Sequence, residues 1–210
     1  FQFGLLCQAF NYGDGTSFPD YKYTIYAEAS WYTKGTSVYQ VFFDSKNLLP
    51  NKLRLTADFA YMGDNSFDFY GFNGYQAAYH PEFEDQNSPE YISRVFYRFN
   101  RQLFRTVVDL QGRFFNDNVR WLVGINYFNY RIKTVDIDRI NKGKDEEDQL
   151  PDVELLYDKY VDWGIIKQEE KNGGNTLYLK AGFVFDTRDH EAAPSRGIWS
   201  EALILFGPNW

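Results

Sequence analysis

Cysteine is nearly absent from this chain of 210 residues, and long apolar runs are absent altogether. Cys7 is the one cysteine, which excludes an intrachain disulfide and argues against a thiolate metal cluster. No stretch approaches the ~18 consecutive apolar residues of a membrane-spanning helix. Two common ways of stabilising or anchoring a chain, by disulfides and by an apolar helix, are therefore not predicted.

Basic charge and histidine are scarce as well. The 29 acidic residues outnumber the 22 basic ones, and the net charge of −7 argues against a nucleic-acid partner, because phosphate binding needs clustered Lys and Arg. Much of the acidity lies in residues 145–170, including the run 142–148 (KGKDEED). That run is predicted to be a solvated loop, with binding of divalent cations or of a partner protein as the alternative.

The two histidines are too few, and too far apart, to predict a metal site. His190 lies between Asp189 and Glu191 in a turn and is predicted to be a solvated residue. Ser88 is the only candidate partner for His80 in a hydrolase-like arrangement of Ser, His and an acid. We therefore predict no catalytic, cofactor-binding or metal-binding residues and no cofactor, and we do not expect an enzyme.

Aromatic residues are abundant: they make up 20% of the chain, with 17 Tyr and 20 Phe. Apolar content is 44%, yet the mean hydropathy is −0.52, so apolar and polar residues are interleaved. This alternation has the period of a β-strand and recurs in eight segments. They are residues 1–12, 21–33, 38–45, 51–62, 91–115, 119–135, 177–185 and 198–206. Only residues 152–160 could form a short helix.

The fifth segment changes phase. Its apolar positions are odd at first (Tyr91, Val95, Tyr97, Phe99) and even afterwards, from Phe104 onwards. A slip of one residue without a turn signal is typical of a β-bulge. The sequence therefore predicts one bulged strand with the bulge near residues 101–103.

Alternation alone fits both a Tyr-rich secreted β-sandwich and a membrane barrel. Three features favour the barrel: strands of about ten to thirteen residues, aromatics gathered at strand ends, and connections that alternate between short and long. We therefore predict an all-β fold, an antiparallel transmembrane β-barrel, as a single domain over residues 1–210. Its long outer loops are expected at about residues 63–90 and 136–175.

The order of the connections predicts which way each strand runs. Two strands separate the long loops, so both loops fall on the same side of the membrane. Residues 51–62 then run outward and residues 1–12 run inward, although the first strand of such a barrel runs outward. We therefore expect at least one earlier strand, and a barrel that is incomplete at both ends.

The most informative stretch is residues 177–197, LYLKAGFVFDTRDHEAAPSRG. It predicts a strand followed by a charged turn. Asp186 and Arg188 lie two apart on one face, which allows an ion pair. Asp189, Pro194 and Gly197 are turn formers: Asp accepts bonds from nearby backbone, Pro presets φ, and Gly tolerates positive φ.

Residues 182–197, GFVFDTRDHEAAPSRG, resemble the BamA/TamA-like family of outer-membrane barrels (bacterial surface antigens). Asp186, Arg188, Asp189, Pro194 and Gly197 occupy the positions of that family's D-x-R-D strand end and Pro/Gly turn. Tyr70-Gly71-Phe72 is a weaker match. The family's periplasmic POTRA domains and its R-G-F/Y loop have no counterpart in these residues.

The resemblance implies a barrel of roughly sixteen strands in the outer membrane of a Gram-negative bacterium, acting in insertion, assembly or translocation of proteins. The implied partners are outer-membrane lipid, lipopolysaccharide, and client or partner membrane proteins. The alternatives are a porin-like barrel or an accessory subunit of a larger secretion complex. A barrel lipid hydrolase is a third and weaker one.

Overall fold

The computed structural model describes residues 1–16, 18–33, 35–46, 48–74, 77–114, 116–191 and 193–208, with Asn51 described by its backbone alone. Residue 115, the predicted end of the fifth strand segment, and residue 210, the predicted end of the domain, lie outside the described residues. No helix in the described part is long and apolar enough to cross a membrane.

The eight predicted strands form one antiparallel sheet, in which each strand pairs with the next along the chain. The all-β prediction is confirmed. The sheet is open, because β1 and β8 each have one strand neighbour in the described structure. The strands are β1 Gln2–Asn11, β2 Tyr23–Tyr32, β3 Ser37–Ser45, β4 Arg54–Asp68, β5 Arg98–Arg113, β6 Val119–Lys133, β7 Gly173–Asp186 and β8 Trp199–Phe206.

The two long connections run over residues 69–97 and 134–172, and both lie at the same end of the sheet. The predicted bounds of the first, 63–90, differ because β4 continues to Asp68 and β5 begins only at Arg98. Those of the second, 136–175, differ because β6 ends at Lys133 and β7 begins at Gly173. Residues 91–97 alternate like a strand but are not one. We call the described residues of the two connections the cap, and the opposite end of the sheet the turn end.

The bulge exists, but its predicted position in β5 is wrong. Arg101 pairs with Asp64 and Phe99 with Phe67, so two residues of β4 oppose one of β5. Between β5 and β6 the register is unbroken. The apolar phase changes along β5 because Phe99 and Leu103 are buried on the face that carries Arg101, whereas Phe104 lies on the opposite face.

The cap has its own core, which the sequence did not predict. Two helices, α1 Ile137–Asn141 and α2 Leu156–Asp162, lie in the second connection, and α2 overlaps the predicted helical segment 152–160. Apolar side chains of α2 pack against rings at the ends of β4 and β5, so the cap lies over one face of the sheet. The buried members of this cluster are Phe99, Tyr157, Tyr160, Val161 and Ile166.

Gly71 shows why a glycine stands in the Tyr70-Gly71-Phe72 segment. Its φ is +89°, a conformation that residues with a side chain rarely adopt. A Cβ on Gly71 would also overlap the hydroxyl of Tyr160 in α2. The first connection can therefore approach the second only because this side chain is missing.

Candidate functional site

The two faces of the sheet differ in chemistry and in exposure. The apolar face carries residues such as Ile25, Val41, Phe59, Ile125 and Leu179, and it is open to the surroundings: Val41 is 48% exposed and Phe59 44%. The polar face carries the alternate positions of each strand, and in β2–β7 it is the more shielded of the two faces. Its buried members include Thr24, Ser30 and Asp44, each at 3% exposure or less. The edge strands β1 and β8 are exposed on both faces.

Aromatic side chains on the apolar face form two rows. In the row nearer the cap, the Trp31 indole N–H donates to the Tyr39 hydroxyl at 2.7 Å, and Tyr61 and Phe104 continue the row along the register. In the row nearer the turn end, the rings of Tyr23 and Phe43 lie 6.0 Å apart. Residues 23 and 31 are separated by about 26 Å along β2, at ~3.3 Å per residue.

Ion pairs line the polar face in mid-strand. Asp58 accepts from Arg105 at 2.6 Å and from Gln40 at 2.9 Å, which joins β3, β4 and β5. Lys180 donates to Asp109 at 2.6 Å, and these side chains are only 10% and 13% exposed. Charges removed from water need partners, so these pairs compensate one another across neighbouring strands.

A second group of charges lies at the turn end. The guanidinium of Arg54 donates two hydrogen bonds to Asp44, at 2.8 and 2.6 Å. The Tyr21 hydroxyl donates to the same carboxylate at 2.5 Å. Burial and this hydrogen bond raise the pKa of Tyr21. The carboxylate of Asp44 is thus almost enclosed by donors.

Glu191, in the β7–β8 connection, reaches this group from three strands away. Its carboxylate accepts from Arg54 Nη1 at 2.7 Å and lies 2.7 Å from Lys46 Nζ. Lys46 also donates to Asp20, at 2.6 Å. Because β5 and β6 lie between β4 and β7, the contact requires the sheet to bend toward its polar face. The connection therefore crosses the polar face at the turn end.

Of the five predicted motif residues, Asp186 ends β7 and the other four lie in this connection. Arg188 Nε and Nη2 donate to the two oxygens of Asp186, each at 2.9 Å, so the expected pair forms. Arg120 lies 3.4 Å from Asp186. Arg188 Nη1 also donates to the Glu191 carbonyl at 3.3 Å. The motif pair thus links β6 and β7 to the segment that carries Glu191.

Asp189 organises the turn itself. It accepts from the backbone N–H groups of His190, Ser195 and Arg196 and from the Ser195 hydroxyl. The Ser195 hydroxyl and these backbone donors lower the pKa of Asp189. Gly197 has φ +104°, and a Cβ there would overlap the Thr187 carbonyl oxygen. Pro194 lies in the exposed part of the same turn.

No family model, no curated protein and no solved structure matches this chain. The likeness of residues 182–197 to the BamA/TamA-like family therefore stays a prediction.

The histidines are not brought into a reactive arrangement. His190 is exposed in the turn, as predicted. His80 Nδ1 lies 3.0 Å from Glu82, whereas the Ser88 hydroxyl accepts from the Glu90 backbone. Among the described residues, no group of three or more His, Cys, Asp or Glu is placed to hold a metal ion.

Sequence reasoning missed three residues of the ion-pair group at the turn end: Glu191, Arg54 and Lys46. Arg54 occupies one of the polar positions of an alternating segment, and nothing in the sequence connects it with a glutamate 137 positions away. The one available signal was the position of Glu191, an acidic residue inside the motif turn itself.

We predict that the Glu191 contact depends on pH. Burial alone would raise the pKa of Glu191, but Arg54 and Lys46 outweigh burial and lower it from 4.5. A carboxyl whose pKa is lowered on folding stabilises the fold above its ordinary pKa and loses that contribution as the pH falls through the folded value. Glu191→Gln should therefore lower the free energy of unfolding at pH 7, and this difference should shrink progressively below about pH 4.5.

Denaturant unfolding of both proteins across pH 3–7 measures this difference. Glu170→Gln is the matched control, because Glu170 makes only an exposed contact with Lys167, at 3.8 Å. A difference between wild type and Glu191→Gln that is equally large at pH 3 and pH 7 would contradict the ionic role of Glu191.

Proposed function

We propose that this chain is part of a larger, roughly 16-stranded outer-membrane β-barrel that acts in insertion, assembly or translocation of proteins. One observation supports the membrane placement: in the inner strands β2–β7 the apolar face is exposed while the polar, ion-paired face is shielded. A soluble sheet arranges its faces the other way, because burial of apolar surface stabilises it in water. In a membrane barrel the requirement is reversed, since the apolar face contacts lipid and the polar face lines the interior.

The dimensions of the apolar face support the same placement. Its two aromatic rows are spaced along β2 by about 26 Å at ~3.3 Å per residue, close to the ~25 Å height of the apolar band in outer-membrane barrels. In such barrels, aromatic girdles mark both membrane interfaces. The long connections then lie outside the cell, and the motif turn faces the periplasm.

The free edges of β1 and β8 support a larger closed barrel. An unpaired strand edge leaves backbone donors and acceptors without partners, which lipid does not tolerate. Further strands that continue the sheet from these edges would satisfy them.

The role in protein insertion or translocation rests on the likeness of the motif turn to the BamA/TamA-like family. The proposed partners are outer-membrane lipid, lipopolysaccharide and client membrane proteins of a Gram-negative bacterium. The chain does no covalent chemistry and needs no cofactor in this proposal.

A porin-like barrel is the second candidate, and the polar face gives it one supporting observation. Asp109 Oδ1, Gln111 Oε1 and Asn126 Oδ1 are shielded and have no protein partner. Shielded polar atoms of this kind are normally satisfied by water. A conducting pore requires a water-filled interior, which the polar face would line.

The membrane placement is tested with Cys7, which lies on the apolar face of β1. A fluorescent dye on Cys7, in vesicles that contain brominated lipid, should be strongly quenched. The same dye on Cys7→Ser/Gln8→Cys, one residue along on the polar face, should be quenched much less. Equal quenching at the two positions would overturn the placement.

Protein insertion and a porin-like function are distinguished by activity assays in vesicles made without brominated lipid. Insertion activity predicts that the protein speeds the folding of an unfolded small outer-membrane barrel into the same vesicles. Ion conductance without any such acceleration would replace the proposal with the porin-like alternative.

A further inference from the structure

The cap contains a cavity of about 280 Å³ between its two connections. Tyr70, Phe96 and Tyr97 line it from the first connection, and Lys159, Tyr160 and Trp163 line it from the second. Half of the twelve lining residues are Phe, Tyr or Trp. Small-molecule sites are typically concave, mostly apolar, and supplied with a few polar groups.

The aromatic walls are held in place by one another. Tyr97 is 2% exposed, and its ring lies 5.4 Å from Tyr70 and 5.1 Å from Tyr79. Its hydroxyl accepts the His80 backbone N–H at 2.9 Å. The Phe96 ring contacts Phe83 at 5.5 Å. A cavity with walls fixed in this way is formed before any ligand arrives, which lowers the entropic cost of binding.

Lys159 supplies one positive charge to this aromatic surface. Its Nζ lies 5.9 Å from the centre of the Phe96 ring, and it makes no ion pair with any described residue. The neighbouring carboxyl of Asp162 raises the pKa of Glu154 in the same connection, and the charge of Lys159 partly offsets that rise. Glu154 therefore lies near Lys159 but forms no ion pair with it.

Other charges near the cavity are engaged elsewhere. Glu82 contacts the His80 ring at 3.0 Å, and Glu84 accepts from the Tyr79 hydroxyl at 3.1 Å. Neither of these two carboxylates forms an ion pair with Lys159. An anion placed between Lys159 and the rings would form one.

We propose that this cavity binds a small aromatic carboxylate. The planar body would stack on the Tyr and Phe rings, with the offset or edge-to-face contacts that aromatic pairs favour, and the carboxylate would pair with Lys159 Nζ. A neutral sugar fits less well, because it needs several converging polar groups. Here the Tyr97 hydroxyl is already bonded to backbone, and the remaining lining is largely apolar. The site lies in the cap and is independent of the proposed role in protein insertion.

Indole-3-acetate is a suitable probe, and tryptophol, with the same ring and a neutral side chain, is its control. Calorimetric titration of the purified protein should show indole-3-acetate binding at least about tenfold more tightly than tryptophol, equivalent to ~1.4 kcal/mol. Lys159→Met should remove that preference and leave tryptophol binding unchanged. Lys167→Met, which removes an exposed lysine of the same connection, should keep the preference.

A second variant tests the cavity itself. Ala78→Trp places a large ring into the lining and should weaken both ligands, whatever the effect of Lys159→Met on folding. The proposal is overturned if the unaltered protein binds neither probe, if it binds both equally, or if Ala78→Trp leaves the binding of indole-3-acetate unchanged.

Discussion

Val41→Lys should destabilise the membrane-inserted protein by about 2–4 kcal/mol, the cost of a lysine on the lipid face near the bilayer midplane. Val41 lies near the middle of β3 on the apolar face, opposite Ala27 and Phe59. Its side chain is 48% exposed, so lysine meets no steric obstacle there. The predicted loss of stability comes from placing a lysine ammonium in the lipid that would cover this face.

Gln40→Lys is the matched control, since it introduces the same side chain one residue away on the opposite face. Gln40 donates to Asp58 at 2.9 Å, and lysine at that position keeps a donor for the same carboxylate. Its effect should be small.

Equilibrium unfolding of both variants from lipid vesicles measures the difference. If water and not lipid covered this exposed face, Val41→Lys would be nearly neutral. A loss for Val41→Lys no larger than that for Gln40→Lys would therefore refute the membrane proposal.

The strands could be predicted from the sequence because alternation is a local signal. The eight segments, the assignment of faces and the position of both long connections at one end all follow from a period of two and from turn residues. Residues 91–97 alternate in the same way, yet they belong to the cap. Their apolar side chains pack against other parts of the cap. Local alternation in the sequence cannot distinguish that packing from a strand.

The contacts of the motif turn show that a local pattern predicts short-range pairs but not contacts between distant strands. Asp186 and Arg188 are two residues apart, so their pairing could be expected from strand geometry alone. Glu191 pairs with Arg54 only because the sheet bends until its seventh and fourth strands approach on the polar face. Bending is a property of the whole sheet, and no short pattern encodes it.

The polar face is covered at both ends by parts of the chain. The cap packs onto Phe67 and Phe99 at one end, and the motif turn reaches Arg54 and Lys46 at the other. Between them, Arg105 pairs with Asp58 and Lys180 with Asp109 on the polar face. In the proposed barrel, this arrangement favours a wall that holds its connections in fixed places over an unobstructed channel.

The contact at the turn end gives the second large effect: Arg54→Met should lower the free energy of unfolding by about 3–5 kcal/mol, the usual result of removing one partner of a buried ion pair. Asp44 is 2% exposed and would keep only the Tyr21 hydroxyl as a side-chain donor. Glu191 would lose its contact with β4 and retain the one with Lys46.

Two further variants decide whether the loss of stability comes from leaving the Asp44 carboxylate without its ionic partner. Arg113→Met, also at the turn end, removes an exposed pair with Asp117 and should change stability by less than about 1 kcal/mol. Arg54→Met/Asp44→Leu removes the buried charge together with its partner and should recover much of the loss, because well-packed apolar residues often replace a buried ion pair at little cost. Denaturant unfolding of the four proteins at pH 7 provides the measurement. A double variant no more stable than Arg54→Met would show that the guanidinium acts through packing and through Glu191, and not by neutralising Asp44.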